Sequence, residues 1–172
     1  MTAFTAPAMR PEPSAEPVIR RAERGWVLEA AIFLPRPVES IFPFFADARN
    51  LERITPRHLQ FHVITPRPIE MRAGAIIDYR LKIRGIPCRW RSEITAWEPM
   101  TRFVDEQRRG PYRWWIHEHT FEPVPGGTIA RDVVQYGVLF GALAHTLLVR
   151  RDVQSIFAYR TRVLRDLFGA PE

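Results

Sequence analysis

His117 and His119 stand two residues apart in the segment YRWWIHEHTF, and Asp105 and Asp132 lie in the segments on either side of it. Alternate side chains of an extended chain leave the same face, so the two imidazoles project together. Two imidazoles with a carboxylate can hold a divalent metal, move protons as an acid–base set, or hydrogen-bond one another in a polar wall. A His-x-His pair alone is a weak metal signal, and no other tight Cys/His cluster supports it. No metal and no other cofactor is therefore expected, and the hydrogen-bonded wall is the leading reading.

The neighbouring residues suggest what such a wall encloses. Trp115, His117, His119 and Phe121 share one face of their strand, and Phe103, Asp105 and Gln107 share one face of the strand before it. A dry core tolerates such mixtures poorly, because each buried polar group needs a partner. A pocket for a polar-headed ligand suits them well. The expected lining is Tyr79, Trp90, Asp105, Gln107, Trp115, His117, His119, Asp132 and Tyr136. In an enzyme, His117 or His119 would shuttle protons, oriented by Asp105 or Asp132, while Tyr136 or Tyr79 polarised a carbonyl. A hairpin turning at Gly110-Pro111 sets Asp105 opposite Trp115 and Phe103 opposite His117, leaving Asp105 one diagonal step from His117.

The elements that must hold these groups follow from periodicity and turn residues. Trp26 to Leu34 reads as a first strand, with Glu29 on its outer face. Pro37 suits the first turn of a short helix carrying Val38, Ile41, Phe42 and Phe45, and Asp47 suits the N-cap of a second. Residues 58–65 alternate as a strand, and Ala75, Ile77, Tyr79, Leu81 and Ile83 alternate with charged residues in the clearest strand of the chain. Four more amphipathic strands follow up to Tyr136, separated by Gly and Pro turns, which implies an antiparallel meander. From Ala142 to Phe168 neither Pro nor Gly occurs, and apolar residues recur at three- and four-residue steps, so a long helix is expected. On its polar face, Asp152 is expected to pair with Arg151 or Arg160 at the surface.

Length and composition restrict the function classes. At 172 residues with 46% hydrophobic content, one domain with a real core is expected. Cys88 is the lone cysteine, so no internal disulfide can form, and a packing role is expected for it. No apolar run approaches the roughly 18 residues of a membrane span. Residues 1–24, rich in Pro, Ala, Glu and Arg, read as a disordered tail without a secretory signal, leaving 25–169 as the domain and a bacterial, cytoplasmic protein as the simplest inference. The net charge of +6 raises the question of nucleic acid. Most of the basic residues in 72–91 alternate with apolar ones, as on the wet side of an amphipathic strand, so nucleic acid is not the expected partner. No feature specifies an oligomeric state.

Several local motifs add a resemblance. Pro35-Arg36-Pro37-Val38-Glu39 leads into Ile41-Phe42 and Phe44-Phe45, then Asn50-Leu51 and Thr55-Pro56; Trp97-Glu98-Pro99, Arg102-Phe103, Gly126-Gly127-Thr128 and Asp132 come later. With the element order, these residues resemble the SRPBCC superfamily, the START-like or helix-grip ligand-binding proteins, over residues 26–168. Asp105-Glu106-Gln107, Gly110-Pro111-Tyr112, His117-x-His119-x-Phe121, Arg150-Arg151-Asp152, Phe157 and Tyr159-Arg160 look like its bacterial polyketide cyclase/dehydrase-like branch. The resemblance implies an α+β helix-grip fold: a curved seven-stranded antiparallel sheet, two short helices after the first strand, and a long C-terminal helix gripped by the sheet. It also implies a cavity for a hydrophobic or amphipathic small molecule, such as a lipid, a polyketide or an aromatic compound. The alternatives are a cyclase- or dehydratase-type enzyme and a basic-surface interaction module.

Overall fold

The computed structural model describes residues 16–139 and 141–169. Eight strands form one antiparallel sheet: β1 (Val18–Arg21), β2 (Trp26–Leu34), β3 (His62–Val63), β4 (Ile76–Ile83), β5 (Ile86–Glu98), β6 (Arg102–Arg109), β7 (Trp114–Val124) and β8 (Gly127–Gly137), in the order β1-β2-β8-β7-β6-β5-β4-β3. From β4 to β8 each strand pairs with the next, as a meander requires. Strand β2 then closes onto β8 over nine residue pairs, from Trp26↔Tyr136 to Leu34↔Thr128.

The strand count exceeds the sequence expectation by one, because part of the supposed tail is ordered. Val18–Arg21 pairs with Trp26–Glu29, Ile19 joins the core, and Arg20 donates from Nη2 to Glu29 at 3.0 Å. That pairing explains why Glu29, expected on an outer face, is only 4% exposed. Gly25 makes the connection possible: its φ is +78°, and a Cβ there would lie 2.2 Å from the Tyr136 carbonyl oxygen. The remainder of the expected tail, residues 1–15, lies outside the described residues. The expected strand over 58–65 is also shorter, since Arg57–Leu59 is a 3-10 turn and only His62–Val63 pairs with β4.

Between β2 and β3 lie α1 (Val38–Phe45) and a 3-10 turn, Ala48–Glu52. Pro43 sits inside α1 and removes a backbone donor, which keeps the helix short. Asp47 caps the 3-10 turn, accepting from the Arg49 backbone N–H at 3.0 Å. The C-terminal segment comprises α2 (Gly141–Ala144), a π-helical turn (His145–Val149) and α3 (Arg150–Phe168). The π turn interrupts the regular helix expected from the sequence. It brings His145 Nε2 to 2.9 Å from the Tyr136 hydroxyl and stacks the imidazole on Trp26 with ring centroids 3.9 Å apart.

Val153, Phe157, Arg160 and Leu164 form the buried stripe of α3, a spacing of four, three and four residues that keeps one face turned to the sheet. Leu164 packs with Phe42, Phe45, Phe103 and Phe121 in one core cluster. Val153 and Phe157 pack with Trp26, Leu28, Trp115 and Val134 in another. A third, of Ala48, Ala75, Ile77, Tyr79 and Ile94, lies under the 3-10 turn. Register shifts in β5 between Arg91 and Ser92 and between Ile94 and Ala96 bend the strand, as bulges do. The bent sheet and α3 leave space between them.

Candidate functional site

A cavity of about 750 Å³ occupies that space. Its walls are mostly apolar and include Ile77, Tyr79, Leu81, Trp90, Trp115 and Phe157. Asp105, His117, His119 and Arg160 also reach its surface, as does Ser92. Leu148 and Val149 line it from the π-helical turn and Leu139 from the residues after β8, while Ile83 at the end of β4 and Arg84 in the turn after it line the other side. Arg84 spans the gap there, donating to both carboxylate oxygens of Asp152 at 2.9 and 3.1 Å and to the Leu148 carbonyl at 3.2 Å. Asp152 thus pairs with Arg84 of the sheet, not with Arg151 or Arg160 of its own helix.

The polar groups converge through cross-strand pairing. Asp105 on β6 is directly opposite His117 on β7, and Phe103 is opposite His119. This register is two residues away from the expected one. The connection between β6 and β7 is wider than a turn centred on Gly110-Pro111, because the Gln107 side chain fills it. Its amide donates to the Tyr112 carbonyl at 2.8 Å and its Oε1 accepts from the Tyr112 backbone N–H at 3.3 Å. On the other side of β7, Asp132 on β8 is opposite His119.

One connected network results. His117 Nε2 lies 2.9 Å from Asp132 Oδ1, and His119 Nε2 lies 3.0 Å from Asp105 Oδ2. Arg160 reaches down from α3, donating from Nε to Asp132 Oδ2 at 2.9 Å and from Nη2 to Asp132 Oδ1 at 3.1 Å. The same Nη2 lies 3.2 Å from His119 Nδ1. That nitrogen also lies 3.0 Å from Asp132 Oδ1, so Arg160 and Asp132 both meet His119 on the side away from Asp105. Trp90 Nε1 donates to Ser92 Oγ at 3.1 Å, and Ser92 Oγ donates to Asp105 Oδ1 at 3.4 Å. Phe103 stacks on His119 at 4.0 Å, and Phe157 presents its ring to His117 at 5.4 Å.

Burial and charge set the protonation states. Burial, then the neighbouring His119, push the His117 imidazole down to about 4 against the support of Asp132 and Asp105, so its ring is neutral near pH 7. Burial pushes the Asp105 carboxyl up, but the His119 hydrogen bond, the two imidazoles and the Arg160 guanidinium outweigh it and leave it below the usual carboxylate range. For Asp132 burial also opposes ionisation, and the Arg160 guanidinium and the two imidazoles overcome it by a wide margin.

Six of the nine expected lining residues reach the cavity: Tyr79, Trp90, Asp105, Trp115, His117 and His119. Three do not. Gln107 is spent on the β6–β7 connection. Tyr136 is fully buried, and its hydroxyl, which needs a partner there, is satisfied by His145. Asp132 is enclosed by His117, His119 and Arg160 and holds them from behind. Sequence reasoning passed over Ser92 and placed Arg160 in a surface ion pair, whereas Arg160 is 5% exposed. Its spacing from Val153, Phe157 and Leu164 was the available signal. Cys88 is half-buried, and burial pushes its thiol up, away from the reactive thiolate.

Among the described residues, no helix is long and apolar enough to cross a membrane. No curated protein matches the chain. Solved structures do: the Mycobacterium smegmatis protein Ms6760 is 21% identical, with a TM-score of 0.64, covering 87% of this chain and 95% of that one. Protein CV1439 from Chromobacterium violaceum is 15% identical, with a TM-score of 0.66 and coverage of 84% and 98%. Ginseng major latex-like protein 151 from Panax ginseng is 12% identical, with a TM-score of 0.61 and coverage of 83% and 96%. At these identities the likeness is one of fold, the helix-grip arrangement. Residues 34–157 match the family described as polyketide cyclase / dehydrase and lipid transport, and the chain belongs to that family, within the SRPBCC superfamily.

Proposed function

We propose that the chain binds a hydrophobic or amphipathic small molecule between the sheet and α3, apolar body against Ile77, Leu81, Trp90 and Phe157 and polar end toward His117, His119 and Asp105. The observation that carries this reading is the cavity itself: about 750 Å³, with mostly apolar walls and the Asp105, His117 and His119 side chains together on its surface. That volume lies within the range of small-molecule sites. Burial of the ligand's apolar surface, at about 25 cal/mol per Å², supplies most of the affinity, and the polar cluster sets orientation. The test is mass spectrometry of small molecules that co-purify with the full chain, with displacement of an environment-sensitive fatty-acid or aromatic probe. A chain that carries no small molecule and binds neither probe ends the proposal.

One observation favours a second reading, acid–base catalysis on the bound molecule. The cavity-lining His117 imidazole is neutral near pH 7 and already oriented by Asp132. With the Tyr136 hydroxyl engaged by His145, Tyr79 is the remaining tyrosine of the expected pair for polarising a carbonyl. Turnover of a true substrate that survives both His117→Ala and His119→Ala removes this reading. The basic-surface module is less favoured, because Arg49, Arg84, Arg91, Arg102 and Arg108 each pair with an acid.

A further inference from the structure

We infer that His117 Nδ1, His119 Nε2 and Asp105 Oδ2 form a three-ligand site for a first-row divalent transition-metal ion in the cavity wall. Asp132 orients both imidazoles from behind. This reverses the expectation of no metal, and it holds whether or not an organic ligand also occupies the cavity.

The geometry carries it. Asp105 Oδ2 lies 3.5 Å from His117 Nδ1 and 3.0 Å from His119 Nε2. One ligand atom from each of the three residues falls within 4.8 Å of the others. Imidazole nitrogens and carboxylate oxygens bind Zn²⁺ at about 2.0–2.2 Å, so two such ligands on a tetrahedral ion stand roughly 3.4 Å apart. The observed separations suit that arrangement.

The far side of each ring adds independent support. His117 Nε2 and His119 Nδ1 lie 2.9 and 3.0 Å from the same oxygen, Asp132 Oδ1, and Arg160 holds that carboxylate in place. A carboxylate on the outer nitrogen fixes ring orientation and raises the basicity of the inner one, which is how metal-binding histidines are usually supported. In the metal form His119 carries its proton on Nδ1, where Asp132 Oδ1 accepts it at 3.0 Å, and Arg160 keeps its two bonds to Asp132.

Two nitrogens and one oxygen suit Zn²⁺, Fe²⁺ or Ni²⁺ better than Mg²⁺ or Ca²⁺, and three protein ligands leave a coordination position open, as in catalytic rather than structural zinc sites.

The test uses the full chain, dialysed against chelator and titrated with Zn²⁺ by calorimetry and with Co²⁺ by visible absorption. One ion should bind per chain, and Co²⁺ should develop the intense d–d bands of a four- or five-coordinate site. That spectrum needs no variant, so it does not depend on mutants folding. Asp105→Asn and His119→Gln should abolish binding, and Asp132→Asn should weaken it roughly 10–100-fold. His62→Gln, a surface histidine near Glu52, should change nothing. Absence of stoichiometric binding at micromolar Zn²⁺ would overturn the inference. So would an octahedral, water-like Co²⁺ spectrum, or binding that survives Asp105→Asn in a folded protein.

Discussion

Arg160 on the C-terminal helix holds Asp132 on β8 through two nitrogen–oxygen contacts of 2.9 and 3.1 Å. Both side chains are largely buried, and together they fasten the helix to the sheet at the level of the two histidines. The pair serves position more than stability, since a buried ion pair gains little over well-packed apolar groups.

Removing one partner is another matter. Arg160→Met should lower unfolding free energy by about 3–5 kcal/mol, because Asp132 is left ionised and uncompensated. Arg160→Met combined with Asp132→Leu should recover most of that loss. Urea denaturation of the two variants decides it. A single variant within about 1 kcal/mol of the parent would mean that Asp132 does not depend on this arginine.

Acid should destabilise the chelator-treated protein before ordinary carboxylates titrate. The His117 imidazole titrates near 6.5 when unfolded and at about 4 in the fold, so the unfolded chain binds more protons between those values. Stability is therefore fully present above 6.5 and falls as the pH drops toward 4, by about 3 kcal/mol. Below that window the depressed carboxyls of Asp132 and Asp105 add a further loss, since their contribution is present only while they stay ionised. His117→Gln should flatten the upper part of the profile. An urea midpoint that stays constant from pH 7 to pH 4.5 in the parent chain would contradict this account.

Under the proposed binding role, Arg84 is expected to govern ligand entry and release. Its bonds to Asp152 and Leu148 join the β4–β5 turn to the C-terminal segment beside the cavity. Arg84 and Asp152 are exposed enough that their pairing contributes only about 0–1 kcal/mol. Arg84→Met should thus speed release of a fluorescent fatty-acid probe several-fold while leaving the melting temperature nearly unchanged. Unaltered release in stopped-flow displacement would place the entrance elsewhere.

Much of this site was legible because alternation reports which face a side chain takes. It put Trp115, His117, His119 and Phe121 together, and Phe103 with Asp105, as the structure does. Alternation is blind to a slip of two residues, which leaves every side chain on its face. The β6–β7 register therefore escaped it: the connection is set by the Gln107 amide, a side-chain device with no period. Arg160 escaped for a different reason. Residue type sends an arginine to solvent unless a buried carboxylate calls for it, and Asp132 belongs to an element 28 residues away. Tyr136 was expected to line the cavity but is buried against His145, since the π turn that delivers His145 departs from the helical period used to read that segment.

The β1 strand was missed because four residues between prolines and charges carry almost no periodic signal, yet its contacts are substantial. Ile19 is buried, Arg20 neutralises Glu29, and Gln154 on α3 donates to the Pro17 carbonyl at 3.2 Å. A chain beginning at Glu23 loses all three, leaves a buried carboxylate unpaired and turns β2 into an open edge. The expected cost is roughly 2–4 kcal/mol from the lost isoleucine burial and the orphaned Glu29. The exposed backbone groups of β2 also invite edge-to-edge association. Glu29→Gln in the truncated chain should recover part of the stability, because a neutral amide is cheaper to leave without Arg20. Calorimetric melting with light scattering tests both effects. A truncated chain that melts with the parent and stays monodisperse would show that β2 does not need its outer neighbour.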